Sequence, residues 1–129
     1  MRRVLRWTAL ALALGGAGSC SSGTGPVAGL LTVSLATPNA GADGAMLLTV
    51  TGPSALTSVT AGTGLVVFSQ ALSATNHFAV TGPLPNGPIL TIGVVDVNQV
   101  SRYVATIQDV AANDYSLRSP AGYSLTVAK

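Results

Sequence analysis

From Leu30 onward, short apolar runs rich in Val, Leu, Ile and Thr alternate with clusters of Gly, Pro, Asn and Asp. That rhythm predicts strands separated by turns. Strands are expected near Leu30–Ala36, Ala45–Thr51, Leu56–Thr60, Leu65–Ser69, His77–Thr81, Ile89–Val95, Arg102–Val110 and Tyr123–Ala128. The first places Leu31, Val33 and Leu35 on one face and Thr32, Ser34 and Ala36 on the other, and the last does the same with Tyr123, Leu125 and Val127 against Ser124, Thr126 and Ala128. Strands of this kind bury one side only. Ile89–Val95 is apolar almost throughout, as a central strand is, and Pro88, Gly93 and its β-branched residues disfavour a helix there. Thr37–Gly44 reads as a long turn, Gly52-Pro53 and Gly82-Pro83 as strand ends, Ala61-Gly62-Thr63-Gly64 as a hairpin turn, and Gly82–Pro88 as an irregular crossing. A helical turn or two is expected only around Asp96–Val100. Seven or eight short strands in about 100 residues predict a single antiparallel β-sandwich of two sheets, an all-β, immunoglobulin-like architecture. Val50-Thr51-Gly52-Pro53 recurs as Val80-Thr81-Gly82-Pro83, which reads as one strand ending used twice.

The first twenty residues follow another plan. A basic start, Met-Arg-Arg-Val-Leu-Arg, leads into the apolar stretch Trp7–Leu14 and then Gly15-Gly16-Ala17-Gly18-Ser19 before Cys20. This is the layout of a secretory signal peptide. As a helix the apolar stretch would span about 12 Å, well short of the roughly 30 Å of a bilayer core. Ala17, Gly18, Ser19 and Cys20 resemble the lipobox of bacterial lipoproteins, with Ala17 where Leu is most usual. The resemblance implies cleavage before Cys20, acylation of its thiol and amine, and anchoring of the mature protein to a membrane. Several acyl chains on one residue suffice for stable attachment. Cys20 is the single cysteine and has no disulfide partner in its own chain, which suits that reading. The alternative is a conventionally cleaved signal peptide with Cys20 an ordinary residue. Ser21 stands where Asp would signal inner-membrane retention, so the resemblance implies the outer membrane before the inner. Arg2-Arg3-Val4-Leu5 also resembles a twin-arginine export signal.

The domain plan is therefore a cleaved leader at 1–19, a lipidated Cys with a flexible Ser/Gly tether at 20–29, and a sandwich domain at 30–129. Removing the leader leaves 110 residues in which Arg102, Arg118 and Lys129 face Asp43, Asp96, Asp109 and Asp114, a net charge of −1. The formal +2 of the whole 129-residue chain comes from Arg2, Arg3 and Arg6 in the leader. The folded part thus carries no electrostatic footprint for nucleic acid. Ser and Thr supply 24 of those 110 residues, so hydroxyls must solvate faces that charges usually cover.

The inventory for chemistry is thin. His77 is the single imidazole, no Gly-x-Ser-x-Gly elbow accompanies it, and it is expected at a loop or strand edge beside Asn76. Gly62-Thr63-Gly64 lacks the remainder of a nucleotide-binding motif. Asp96 with Asn98, and Asp109 with Asn113 and Asp114, are oxygen-rich but lack the spacing and the bidentate Glu of a calcium loop. Neither a metal nor any other cofactor is implied, and no catalytic residue is selected. Of the mature aromatics, Tyr103 and Tyr123 fall on apolar faces, whereas Tyr115, between Asp114 and Ser116, is expected to be exposed. It is the one candidate ligand contact.

The domain resembles the cohesin and carbohydrate-binding-module type of β-sandwich. The resemblance lies in Leu31-Thr-Val-Ser-Leu35, the Gly44-led strand Ala45–Thr51, Ser58-Val-Thr-Ala-Gly62, Gly87-Pro-Ile-Leu-Thr-Ile92 and Tyr123-Ser-Leu-Thr-Val127. It implies a non-catalytic recognition or scaffolding module of the cell envelope, held by its lipid and binding a protein or a glycan. A structural or assembly component of the outer membrane is the alternative.

Overall fold

A computed structural model describes residues 25–129. The leader, the lipobox residues Ala17, Gly18 and Ser19, and Cys20 lie outside the described residues.

The described residues form nine strands: β1 Gly29–Ala36, β2 Asp43–Thr51, β3 Ser58–Ala61, β4 Val66–Ser69, β5 Thr75–Thr81, β6 Gly87–Val94, β7 Val104–Ala112, β8 Leu117–Arg118 and β9 Ser124–Ala128. Each expected strand has its counterpart; the additional one is the two-residue β8. A 3-10 helix, Val97–Arg102, follows β6, with the Asp96 side chain accepting from the Asn98 amide as its N-cap. The strands make two antiparallel sheets, one in the order β3-β6-β1-β9 and the other β4-β5-β2-β7-β8. The protein is thus a β-sandwich.

Only β4–β5 and β7–β8 are consecutive strands paired in one sheet; the other connections pass from sheet to sheet. The expected hairpin at Ala61–Gly64 is one of these crossings, since β3 and β4 lie in opposite sheets. The turn chemistry is there, with the Leu65 amide bonded to the Gly62 carbonyl at 3.0 Å. Turn residues report a reversal of the chain; they do not report which sheet receives the next strand.

Alternation decides the core. Leu31, Val33 and Leu35 of β1, Met46, Leu48 and Val50 of β2, Phe78 and Val80 of β5, and Leu90, Ile92 and Val94 of β6 all point between the sheets and are buried. β6 lies between β3 and β1, as its apolar run implied. Its register on β1 slips between Val33 and Ser34, so Ile89 becomes an extra, bulged residue and is buried beside Leu90. The repeated Val-Thr-Gly-Pro motif ends β2 and β5, antiparallel neighbours that stop at opposite ends of the sheet. Tyr103 closes that core beyond β2, over Gly52, where any Cβ would run into its ring.

The chain is fixed somewhat earlier than the expected tether boundary. The Val27 amide reaches the Asp96 carboxylate at 3.3 Å, and the Val97 amide donates to the Val27 carbonyl at 2.8 Å. Among the described residues the buried core falls between Leu31 and Ala112, so residues 21–129 are expected to fold on their own. Far-UV circular dichroism of that fragment should give a β spectrum, since 53% of the described residues are in strands and 6% in helix. A helix content above about a fifth would contradict the architecture.

Candidate functional site

The outer faces of the two sheets differ in kind. On the four-stranded sheet the outward positions are Ser58 and Thr60 of β3, Thr91, Pro88 and Gly93 of β6, Thr32, Ser34 and Ala36 of β1, and Ser124, Thr126 and Ala128 of β9, with Leu30 exposed at the margin. Hydroxyls supply most of this face, and Leu30 is its one large exposed apolar side chain.

The five-stranded sheet carries bulky apolar side chains outward in two of its rows, beside a polar row of His77, Thr49 and Thr106. Cross-strand pairing aligns Val66, Thr81, Ala45, Ala111 and Leu117 in one row across all five strands, and Phe68, Ala79, Leu47 and Asp109 in the next. Phe68 is 60% exposed and Leu117 78%, while Leu47 and Val66 are also exposed. Three shallow depressions, of about 140, 530 and 330 Å3, lie along this band. Gly44, Phe68, Pro83, Asn113 and Tyr115 help to line the largest. Scattered exposed apolar residues are ordinary on a protein surface, whereas a contiguous band marks an interaction site.

Tyr115 sits at one end of the band and is 84% exposed. It occupies the tight β7–β8 hairpin, where the Tyr115 amide donates to the Ala112 carbonyl at 2.9 Å and the Ala112 amide to the Ser116 carbonyl at 2.9 Å. Its φ of 65° is in the left-handed region, which Gly or Asn ordinarily fills. A tyrosine there costs roughly 1–2 kcal/mol of local backbone energy. The turn compensates through Asp114, whose carboxylate accepts from the Ser116 hydroxyl at 2.6 Å and the Ser116 amide at 3.0 Å. Those two bonds, the hydroxyl first, hold the Asp114 carboxyl below its usual range. Their support of the turn is present above the ordinary carboxylate value and fades as acidification protonates the folded form.

What fixes this hairpin to the sheet is a buried polar node that the sequence pattern did not reveal. Asp43, read as part of a turn, is instead the first residue of β2 and is fully buried. Its Oδ1 lies 2.6 Å from Arg118 Nε on β8, an ion pair without an aligned hydrogen bond. Its Oδ2 accepts from the Tyr123 hydroxyl at 2.7 Å and the Thr37 hydroxyl at 3.2 Å. The Tyr123 hydroxyl in turn accepts from Asn39 Nδ2 at 2.8 Å, and the Thr37 amide donates to Asn86 Oδ1 at 2.7 Å. Four segments of the chain therefore meet at one carboxylate. Tyr123 faces inward as alternation implied, and its hydroxyl is what binds the β9 end into the node.

The other candidates are dispersed. His77 is in a strand and not in a loop. It lies outward on β5, one residue past the Ser69–Phe78 pair where the β4 ladder ends, so that its neighbour is β2 alone, with Nδ1 3.2 Å from the Thr49 hydroxyl. Asn76 beside it is buried and satisfied by Ser73 and the Val50 carbonyl. Asp96 caps the 3-10 helix and Asp109 is exposed on β7. Among the described residues no three His, Cys, Asp or Glu side chains come together as a metal site would require. Comparison with protein families, with curated proteins and with solved structures finds no match to this chain.

Proposed function

We propose that this chain is a lipid-anchored, non-catalytic lipoprotein of the bacterial cell envelope, serving as a recognition or scaffolding module toward a protein or glycan. The observation that carries the binding role is the contrast between the two outer faces. One sandwich, under one set of folding demands, covers one sheet mostly with hydroxyls and small residues, Leu30 at its margin, and leaves Leu47, Val66, Phe68 and Leu117 exposed in two adjoining rows of the other. Solubility favours the first surface and opposes the second, so the apolar band is retained for contact. The anchor reading rests on Ala17-Gly18-Ser19-Cys20 after an apolar stretch. With the lipid holding the domain at a membrane, the domain itself needs no membrane-binding surface, and the band is free for a partner.

Two measurements test the halves separately. Expressed from its full sequence in a bacterial host, the protein should fractionate with membranes and carry an acylated N-terminal Cys20 by mass spectrometry, while Cys20→Ser should release it from the membrane fraction. An unmodified mature N-terminus at any other residue overturns the anchor. For the binding half, residues 21–129 should be retained by an envelope polysaccharide, a secreted protein or another copy of the chain, and Phe68→Ser should weaken that retention. Retention unchanged by the substitution removes the face from the proposal.

A further inference from the structure

We infer that the end of the sandwich at which the chain arrives from Cys20 rests on the lipid surface, with Val27, Leu30 and Val95 at the contact and the Tyr115 hairpin farthest from the membrane. This pose presupposes the lipid anchor proposed above: the acylated Cys20 supplies the attachment, and the arrival end sets how the domain stands on it.

The reach of the chain removes one pose outright. Among the described residues Val27 is the first bonded into the domain, its amide to the Asp96 carboxylate at 3.3 Å and its carbonyl to the Val97 amide at 2.8 Å. Seven residue steps separate it from Cys20, and a chain spans at most about 3.6 Å per residue, so Val27 stays within about 25 Å of the acylated residue. The arrival end holds the 3-10 helix, the starts of β1 and β7 and the ends of β2, β6 and β9, while loops 37–42, 82–86 and 113–116 lie at the other end. The nine residues of β2, at about 3.4 Å each, make the sandwich about 30 Å long before those loops are added. Standing on the far loops would lift Val27 beyond the reach of the chain. Either the arrival end or a side of the sandwich must then face the lipid.

The arrival end carries an apolar corner of its own. Leu30 is 61% exposed, and Val27 and Val95 are exposed with it. Leu30 pairs with Gly93, which adds no side chain, and Gly29 pairs with Val94, directly before Val95. The bonds from Val27 to Asp96 and Val97 bring the third side chain to the same corner. Such a group suits the boundary between headgroups and acyl chains, where a small apolar surface gains from contact without crossing the bilayer.

Charge decides between this corner and the apolar band of the five-stranded sheet. Asp109 stands exposed in the second row of the band, and laying the band on lipid would strip water from its carboxylate and set it beside phosphates of like sign. At the arrival end the acid is Asp96, whose Oδ1 already accepts from the Val27 and Asn98 amides. The cations there are Arg102 of the 3-10 helix, bonded to Gln99, and Lys129 after β9, with Nζ 3.4 Å from Asn98 Oδ1. Anionic headgroups attract both. In this pose the band stands clear of the lipid and stays open to a partner from the side.

The full chain, acylated in a bacterial host and reconstituted in vesicles of phosphatidylethanolamine and phosphatidylglycerol, has its own thiol blocked, so one added cysteine can be labelled alone with a fluorophore. Labels at Leu30→Cys and Val95→Cys should be quenched by headgroup-labelled lipid at least about threefold more than labels at Leu47→Cys and Tyr115→Cys. Adding Leu30→Asp to Val95→Cys should lower its quenching to the level at Tyr115→Cys, with the protein still in the membrane pellet and its circular dichroism spectrum unchanged. Strongest quenching at Leu47→Cys would lay the band on the lipid, strongest quenching at Tyr115→Cys would invert the domain, and equal quenching at all four positions would leave it without a preferred pose. Each of these overturns the inference while the lipid anchor stands. A mature N-terminus other than acylated Cys20, by mass spectrometry of the same preparation, overturns both.

Discussion

Arg118→Met should destabilise the domain by about 3–5 kcal/mol, the cost of leaving a buried charge without its partner. The effect runs through Asp43, which is fully buried while the Arg118 side chain keeps 33% of its exposure. With methionine on β8, the carboxylate retains the Tyr123 and Thr37 hydroxyls but loses its counter-charge. No other Lys or Arg among the described residues joins it: Arg102 is bonded to Gln99, and Lys129 lies beside Asn98. Combining Arg118→Met with Asp43→Asn removes the stranded charge and should recover most of the loss, because buried ion pairs are often replaceable when both partners go. Tyr123→Phe removes one donor to the carboxylate and should cost less, about 1–3 kcal/mol. Urea melts of the three variants order these effects. An Arg118→Met midpoint within about 1 kcal/mol of the parent would mean that the pair contributes nothing, and that the β7–β8 hairpin with Tyr115 is held by other contacts. With Asp43→Asn measured alone as well, the double variant also tests cooperativity: if the node acts as a unit, the two single losses should not add.

The node and the apolar face were hidden from sequence reading for different physical reasons. A period-2 pattern identifies the buried side of a strand only where the other side is polar, as in β1 and β9, and there the inward and outward residues were legible. In β2, Met46, Leu47 and Leu48 are all apolar, and in β4 so are Val66, Val67 and Phe68, with the outward members indistinguishable from core. The site was therefore illegible because it is made of core-like residues on the wrong side. Tyr115 was legible because the turn residues around it place it in a loop. Asp43 was obscured because Asn39, Gly41, Asp43 and Gly44 together have turn composition, and an isolated Asp carries no local sign that Arg118, 75 positions on, will return to it. Both devices depend on long-range pairing, which composition does not encode. Strand positions, the helical turn after Asp96 and the sandwich itself depend on local pattern, and these were read directly.

Ile92→Ala should cost about 2–5 kcal/mol, against less than about 1 kcal/mol for Thr126→Ala in the same sheet. Ile92 is completely buried in the middle of β6, paired with Leu31 on one side and Val59 on the other. Removing its outer carbons loses their transfer energy and leaves a space between the sheets. The space cannot easily be refilled. β6 is hydrogen-bonded on both edges and cannot move toward the opposite sheet alone, and the next residue, Gly93, is overlaid by the Thr57 and Ser58 hydroxyls, so the strand cannot shift outward either. Thr126 pairs with Ser34 on the solvated face and is exposed, so its methyl and hydroxyl leave without opening a cavity. Since a small domain is stabilised by only about 5–15 kcal/mol, the first substitution should move the urea midpoint far more than the second. Equal shifts, or a larger one at Thr126, would place these two strands in the opposite register and exchange the faces of the four-stranded sheet. The hydroxyl surface would then be the core, which no arrangement of unpaired threonines could sustain.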